Sequence, residues 1–169
     1  MRRRMKTQAG VLALSLVLLA SCRPSNDAKG LNSLREIKIE RRTILRLGEK
    51  MPPAADFCNW TGATCSLRPG TFGGAERMSL TKTDSGLIAQ FTFHYGVISA
   101  EAVNSQIDEY TRSLGRPSRD STSKSGEVEE RELEWSDSAT TFDLCYKTDQ
   151  NQTEAKATLL DNALAQHRR

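Results

Sequence analysis

The sequence predicts an α+β domain, in which an antiparallel sheet of about five strands, arranged in hairpins, packs against one main amphipathic helix. Three observations lead to this fold class. The run 87–95 alternates apolar and polar residues, as a half-buried strand does. The stretch after Ser99 carries apolar residues at spacings of three and four, as a helix packed on one side does. Two further runs, 128–135 and 140–147, share an apolar face and predict a hairpin.

The first elements after the amino-terminal region are less regular. Residues 31–47 begin as a helix could begin, but their later apolar residues alternate with polar ones, and we predict a strand. Pro52 and Pro53 suit the first turn of a helix, because proline lacks the amide hydrogen that this turn leaves unpaired. We therefore predict a short helix that runs towards Cys58.

A hairpin and the main helix follow. The hairpin comprises 77–83 and 87–95, joined by the turn-forming residues 84–86. Ser99 is suited to cap the amino terminus of the helix, and Gly115 to end it. The apolar face of this helix comprises Ala100, Val103, Ile107, Tyr110 and Leu114.

The rest of the chain predicts more of the sheet. Residues 118–126 are polar and predict a loop, after which the second hairpin begins. Residues 155–160 predict a third strand beside that hairpin, and 162–169 a helical or frayed tail. The domain is therefore expected to span 35–161.

The amino terminus has the two regions of an export signal. Residues 1–6 carry four basic side chains and no acid, and 11–20 are apolar except for Ser15. An apolar run of this length is too short to cross a bilayer, which takes about 20 residues, although a short retained anchor is the alternative. We expect residues 1–21 to be removed and 22–34 to form a lipidated, flexible tether.

Leu19, Ala20, Ser21 and Cys22 resemble the lipobox of bacterial lipoproteins. The resemblance implies that Cys22 is acylated, that cleavage follows Ser21, and that the chain is held at a membrane, because two or more acyl chains anchor stably. It places the protein in the cell envelope: at the outer membrane, facing the periplasm, if the cell has one, and otherwise on the outer face of the cell membrane.

The order of elements carries a second resemblance. A helix followed by an antiparallel sheet occurs twice, with "LGEKMP" (47–52) before the first helix and "SLGRP" (113–117) after the second. This order is similar to that of small accessory lipoproteins of the outer-membrane barrel-assembly machinery and of the tandem β-lactamase inhibitor fold. The resemblance implies a related fold and transfers no functional residue.

The charge of the mature chain argues against nucleic-acid binding. The whole sequence has a formal charge of +3, but the expected leader holds four basic residues and no acid. Its removal leaves 20 basic against 21 acidic residues, a formal charge of −1. A nearly neutral body lacks the excess positive charge that attracts a polyanion.

Three cysteines remain besides Cys22. Export permits a disulfide, and Cys58 and Cys65 bracket a loop of small and turn-forming residues, so we favour this pair. A long-range bond to Cys145 is the alternative, because connectivity cannot be read from a sequence. Either choice leaves one free thiol.

Few residues are candidates for chemistry. His94 could act as a base and Cys145 as a nucleophile, with an acid such as Asp143 to orient the base, but each also suits a polar strand surface. The carboxylates Glu130, Glu132 and Glu134 lie opposite Leu133 and Trp135, which predicts a solvated surface rather than an acid/base pair. No cofactor motif or metal-ligand spacing is present in the sequence.

Trp60 lies inside the expected disulfide loop, where it could present an anchor to a partner or fill the core. We expect a non-catalytic envelope lipoprotein that binds another envelope protein or supports envelope assembly or maintenance. One alternative is an envelope enzyme that uses Cys145 or His94. Another is a domain that binds a small ligand near Phe93 and Tyr110.

Overall fold

The computed structural model describes residues 30–39, 43–52, 58–67 and 74–165. Its helices are α1 (Leu31–Leu34), α2 (Ala100–Leu114) and α3 (Asn162–Ala165). Its strands are β1 (Glu36–Ile39), β2 (Thr43–Arg46), β3 (Asn59–Thr61), β4 (Thr64–Leu67), β5 (Arg77–Lys82), β6 (Ile88–Ile98), β7 (Arg119–Ser125), β8 (Val128–Ser136), β9 (Thr140–Asp149) and β10 (Gln152–Asp161). Strands β1 and β2 form a small antiparallel sheet, and the other eight form one antiparallel sheet in the order β3-β4-β5-β6-β10-β9-β8-β7.

This architecture is mostly β, so the predicted α+β class, with about five strands around one main helix, is wrong. The polar stretch predicted as a loop forms β7, an edge strand in which all seven residues are exposed. A strand that buries neither face shows no alternation of polarity. The predicted strand over 31–47 is instead α1 followed by the β1–β2 hairpin.

Other predicted elements are confirmed. The first hairpin is β5 and β6, the second is β8 and β9, and β10 is the third strand. The main helix is α2, where the Ser99 side chain accepts a hydrogen bond from the Ala102 amide at 3.2 Å. Gly115 ends the helix with φ of +84°, a conformation that favours glycine. The expected helix after Pro52 lies outside the described residues.

The core lies between the large sheet and the elements packed on one of its faces. The Tyr110 ring of α2 lies 4.8 Å from the ring of Phe142, and the Tyr110 hydroxyl pairs with that of Tyr95 at 3.1 Å. The Trp135 indole donates to the Gly115 carbonyl at 2.8 Å, which joins the end of α2 to the sheet. Ala100, predicted on the apolar helix face, is exposed.

An ion pair holds the β1–β2 hairpin to the same face. The Arg35 guanidinium contacts the Asp161 carboxylate at 2.5 Å and also donates to Thr140 Oγ1 and the Leu47 carbonyl. Asp161 is 7% exposed, and its other carboxylate oxygen accepts from two amides at the start of α3. This pair therefore connects the first and last described elements of the fold.

Candidate functional site

The opposite face of the large sheet, which we call the open face, is formed by side chains that alternate with the core residues along β5 to β10. The helices α1 and α2 and the β1–β2 hairpin pack on the other face. Apart from Val97, Val128 and Leu160, the open face is polar. Its members include Arg77, Ser79, Thr81, Gln90, Thr92, His94, Val97, Arg119, Ser121, Ser123, Val128, Glu130, Glu132, Glu134, Thr141, Asp143, Cys145, Lys147, Glu154, Lys156, Thr158 and Leu160.

One row of these side chains crosses the open face at right angles to the strands. The strand pairing fixes its order as Arg77, His94, Lys156, Cys145 and Glu132, from β5 through β6, β10 and β9 to β8. We call these five residues the central row. Neighbours in the row are one strand spacing apart, about 4.8 Å. The row therefore has basic side chains at one end and an acid at the other.

The basic end creates a positive local potential. Burial lowers the pKa of the half-buried His94 imidazole, and the positive charges of Arg77 and Lys156 lower it further. In the part of the chain that the structure describes, none of these three side chains forms an ion pair. The charges of Arg77 and Lys156 are thus available to an anionic group from outside.

A β-bulge lies beside His94. Strand β10 pairs Lys156 with His94 but pairs the preceding residue with Gly96, so Tyr95 is left without a partner. Gly96 has φ of +69°, and a Cβ atom there would collide with the Glu76 carboxylate. A depression of about 290 Å³ lies next to the bulge. Its lining includes Arg77, His94, Lys147, Glu130, Cys145 and Lys156.

The acidic end extends along the strands from Glu132. Arg119 of β7 contacts Glu132 at 3.4 Å and Glu134 at 3.2 Å, and so neutralises part of their charge. Asp143, on the neighbouring strand, has no ion pair among the described residues. Burial and the charge of Glu134 raise the pKa of Asp143 to about 6. This end of the open face therefore carries unbalanced negative charge at neutral pH.

The Cys145 thiol is held in its protonated form. It donates a hydrogen bond to Glu130 Oε1 at 3.2 Å, and burial together with Glu130 raises its pKa to about 11. The thiolate is the nucleophilic form of cysteine, and catalytic cysteines have a lowered pKa. These surroundings therefore oppose the nucleophilic role considered for Cys145 from the sequence.

Among the described residues, the side chains around Cys145 come nearest to an arrangement that could hold a metal ion. Ligand atoms of Glu130, Glu132 and Cys145 lie within 4.8 Å of one another. A metal requires the thiolate and free carboxylate oxygens, and here the thiol proton is shared with Glu130. We assign no metal to this group.

The favoured disulfide is present. Cys58 and Cys65 are bonded, with their Cα atoms 5.2 Å apart, and Cys145 is free. The alternative long-range pairing with Cys145 is therefore wrong. The lipidation candidate, Cys22, lies outside the described residues.

Trp60 pairs with the disulfide residue Cys65 across β3 and β4 and packs against the core as a partly buried side chain. The Lys82 ammonium lies 4.2 Å above its ring, which is a cation–π contact. Trp60 thus covers the edge of the core, and most of its ring is not available as an exposed anchor.

The sheet does not bring His94, Cys145 and Asp143 together as the enzyme alternative requires. His94 and Cys145 both line the depression, but Lys156 lies between them in the row, so their backbones are two strand spacings, about 10 Å, apart. Asp143 lies two residues farther along the strand of Cys145, so its backbone is farther still from that of His94, and it is not placed to orient the imidazole. For the ligand alternative, Phe93 is fully buried and belongs to the core itself.

Sequence reasoning missed Arg77 and Lys156, whereas it placed Lys147 on the same strand face as Cys145. The alternation of 155–160 was a usable signal for Lys156, because the alanines on either side of it are buried and the lysine must face the other way. No local pattern joins Lys156 to Arg77. Their proximity depends on the pairing of β6 with both β5 and β10.

Comparison with known proteins found no matching family model, no matching curated protein and no matching solved structure. None of the described helices combines the length and the apolar character needed to cross a membrane.

Proposed function

We propose that this chain is a lipid-anchored protein of the cell envelope whose open face binds another envelope protein, in support of envelope assembly or maintenance. The anchor is the acylated Cys22 implied by the lipobox resemblance. With that anchor the domain faces the periplasm from the outer membrane, or stands on the outer face of the cell membrane where there is no outer membrane.

The observation that carries the binding role is the segregation of charge on the open face. The unpaired bases Arg77, His94 and Lys156 lie on β5, β6 and β10, and most of the acids lie on β8 and β9. Lys147 of β9 and Glu154 of β10, which are neighbours in the register, are the exceptions. Such a surface gives a partner a fixed orientation, because a rotated partner would place like charges together. All of these groups lie on one face of a single sheet.

The mixed signs favour a protein partner over a polyanion. Nucleic acid requires a surface of one sign that neutralises several phosphates, whereas the open face has acids within about 10 Å of its bases. Among the described residues, the exposed large hydrophobic side chains are Ile44 and Val97, and of these Val97 lies on the open face beside Glu154, so polar contacts would dominate around one apolar contact. An interface of this kind fits a specific but reversible complex.

Photo-crosslinking in the native membrane tests the proposal. A photoreactive residue is placed at Thr92 or Thr158 on the open face, and at Asn104 or Glu109 on the exposed side of α2 as controls. We expect one discrete crosslinked product from the open-face positions only. We also expect Cys22→Ser to release the chain from the membrane and to reduce that product.

The Lys156→Glu variant supplies the specificity control. It reverses one charge of the central row and should remove the crosslink from Thr158. Lys124→Glu makes the same charge change on β7, on the other side of the sheet, and should leave the crosslink intact. Equal crosslinking from the open face and from α2 would contradict the proposal.

A further inference from the structure

We infer that the partner segment crosses the strands of the open face in an extended conformation, with acidic side chains over the basic end of the central row and a basic side chain over Glu132. This inference rests on the proposed function and specifies the chemistry of the partner. The central row gives the direction, because its members come from successive strands.

The spacing of the segment follows from sheet geometry. Arg77 and Glu132 are separated by four strand spacings, about 19 Å, and an extended chain advances about 3.3 Å per residue. The segment therefore needs about six residues to connect the two ends. Its side chains face the sheet at every second residue, about 6.6 Å apart.

These distances define a charge pattern. An acidic side chain at the first position would lie near Arg77. A second acidic side chain, at the third position, would lie between His94 and Lys156. The fifth position would lie over Cys145, where a small residue fits the depression. A basic side chain at the seventh position would lie over Glu132. The pattern is acid-x-acid-x-small-x-base, in either chain direction.

The basic end is prepared for carboxylates. Arg77 and Lys156 flank His94, none of the three is ion-paired within the described ranges, and the depression lies beside them. Glu130 and Glu154 also line this depression and would repel a third acid. The pattern is therefore limited to two acids followed by a change of sign.

The acidic end is prepared for a single base. Arg119 already contacts Glu132 and Glu134, and Asp143 supplies a further carboxyl group in the adjacent row. One lysine or arginine of the partner would compensate part of the negative charge that Arg119 leaves at this end. The two ends together thus select for the order of charges and not for net charge alone.

The test uses the mature, lipidated chain in nanodiscs of zwitterionic phospholipid and capped seven-residue peptides. The matched peptide is Glu-Ser-Glu-Ser-Ala-Ser-Lys, and its isomer, Glu-Ser-Lys-Ser-Ala-Ser-Glu, has the same composition. We expect the matched peptide and its reversed sequence to bind roughly tenfold more tightly than the isomer at low salt, which corresponds to about 1.4 kcal/mol.

Variants locate the interaction. Lys156→Glu should weaken the matched peptide roughly tenfold, and replacing the second glutamate of the peptide by lysine should restore much of the loss. Lys124→Glu is the control with the same charge change, and Arg77→Glu is a second variant on the row. The imidazole NMR signal of His94 is an independent readout, because a carboxylate between Arg77 and Lys156 should raise the His94 pKa.

Two results would overturn the inference: equal affinity of the matched peptide and its isomer, or equal effects of Lys156→Glu and Lys124→Glu. Either would indicate unspecific attraction between charges. The proposed function is tested by the crosslinking experiment and not by the peptides. If crosslinking from Thr158 persists while the peptides show no preference for order, the open face binds a partner of another pattern. If crosslinking is the same from both faces, the open face is not the binding surface.

Discussion

Removal of the Asp161 carboxylate should strongly destabilise the fold, although it changes one side chain at the end of the last strand. Asp161→Asn keeps an oxygen that can accept from the amides of α3 but removes the charge that balances Arg35. Asp161→Ala removes both. The side chains of Arg35 and Asp161 are 21% and 9% exposed, so the remaining guanidinium would be mostly shielded from water.

The magnitude follows from this burial. Breaking a buried ion pair by removing one partner costs about 3–5 kcal/mol in the free energy of unfolding. Arg35 keeps its hydrogen bonds to Leu47, Ala139 and Thr140, and part of it is solvated. We therefore expect a loss of about 2–3 kcal/mol for Asp161→Asn, and about 1 kcal/mol more for Asp161→Ala because the α3 cap is also lost.

Urea unfolding of the mature chain measures these values. Asp120→Asn is a suitable control, because Asp120 forms a two-point ion pair with Arg131 but both partners are exposed. This control should cost at most about 1 kcal/mol. The reasoning is refuted if Asp161→Asn costs no more than Asp120→Asn. Apolar packing would then be what holds the β1–β2 hairpin.

Three other predictions follow from the same structure. The double variant Cys58→Ser/Cys65→Ser should lower the free energy of unfolding, measured in urea, by about 2.5 kcal/mol, because the bond closes a short loop in the unfolded chain. An unchanged free energy of unfolding in oxidising buffer would contradict this prediction. For Asp143, whose pKa is raised to about 6, the folded state binds more protons than the unfolded state between about pH 4 and 6, so stability falls as the pH rises through this window. Asp143→Asn should flatten that dependence and, after discounting for solvent screening, stabilise the fold by about 1 kcal/mol at pH 7; an unchanged pH profile would refute the assignment. Alkylation of Cys145 by iodoacetamide should be slow at pH 7.5 and faster in Glu130→Gln, since the Glu130 carboxylate raises the thiol pKa. Equal alkylation rates in the parent chain and the variant would show that burial alone raises that pKa.

Several features of this protein were determined by neighbours in the sequence alone. Ser99 and Gly115 bound α2 because capping involves only residues of the adjacent turn. The β5–β6 and β8–β9 hairpins follow from alternation of polarity and short turns. The Cys58–Cys65 bond closes between residues only seven positions apart. The lipobox expectation for Cys22 is also a local reading and stays a prediction.

The central row was decided by the tertiary structure. Arg77, Lys156 and Glu132 come from distant parts of the chain and meet because β10 inserts between β6 and β9. Strand β7 was missed for a related reason: it is held by hydrogen bonds to β8 and not by burial of side chains, so it leaves no apolar pattern. Local sequence encodes which backbone conformations are favourable, whereas the order of strands depends on the packing of the whole core, and here that order placed the charges side by side.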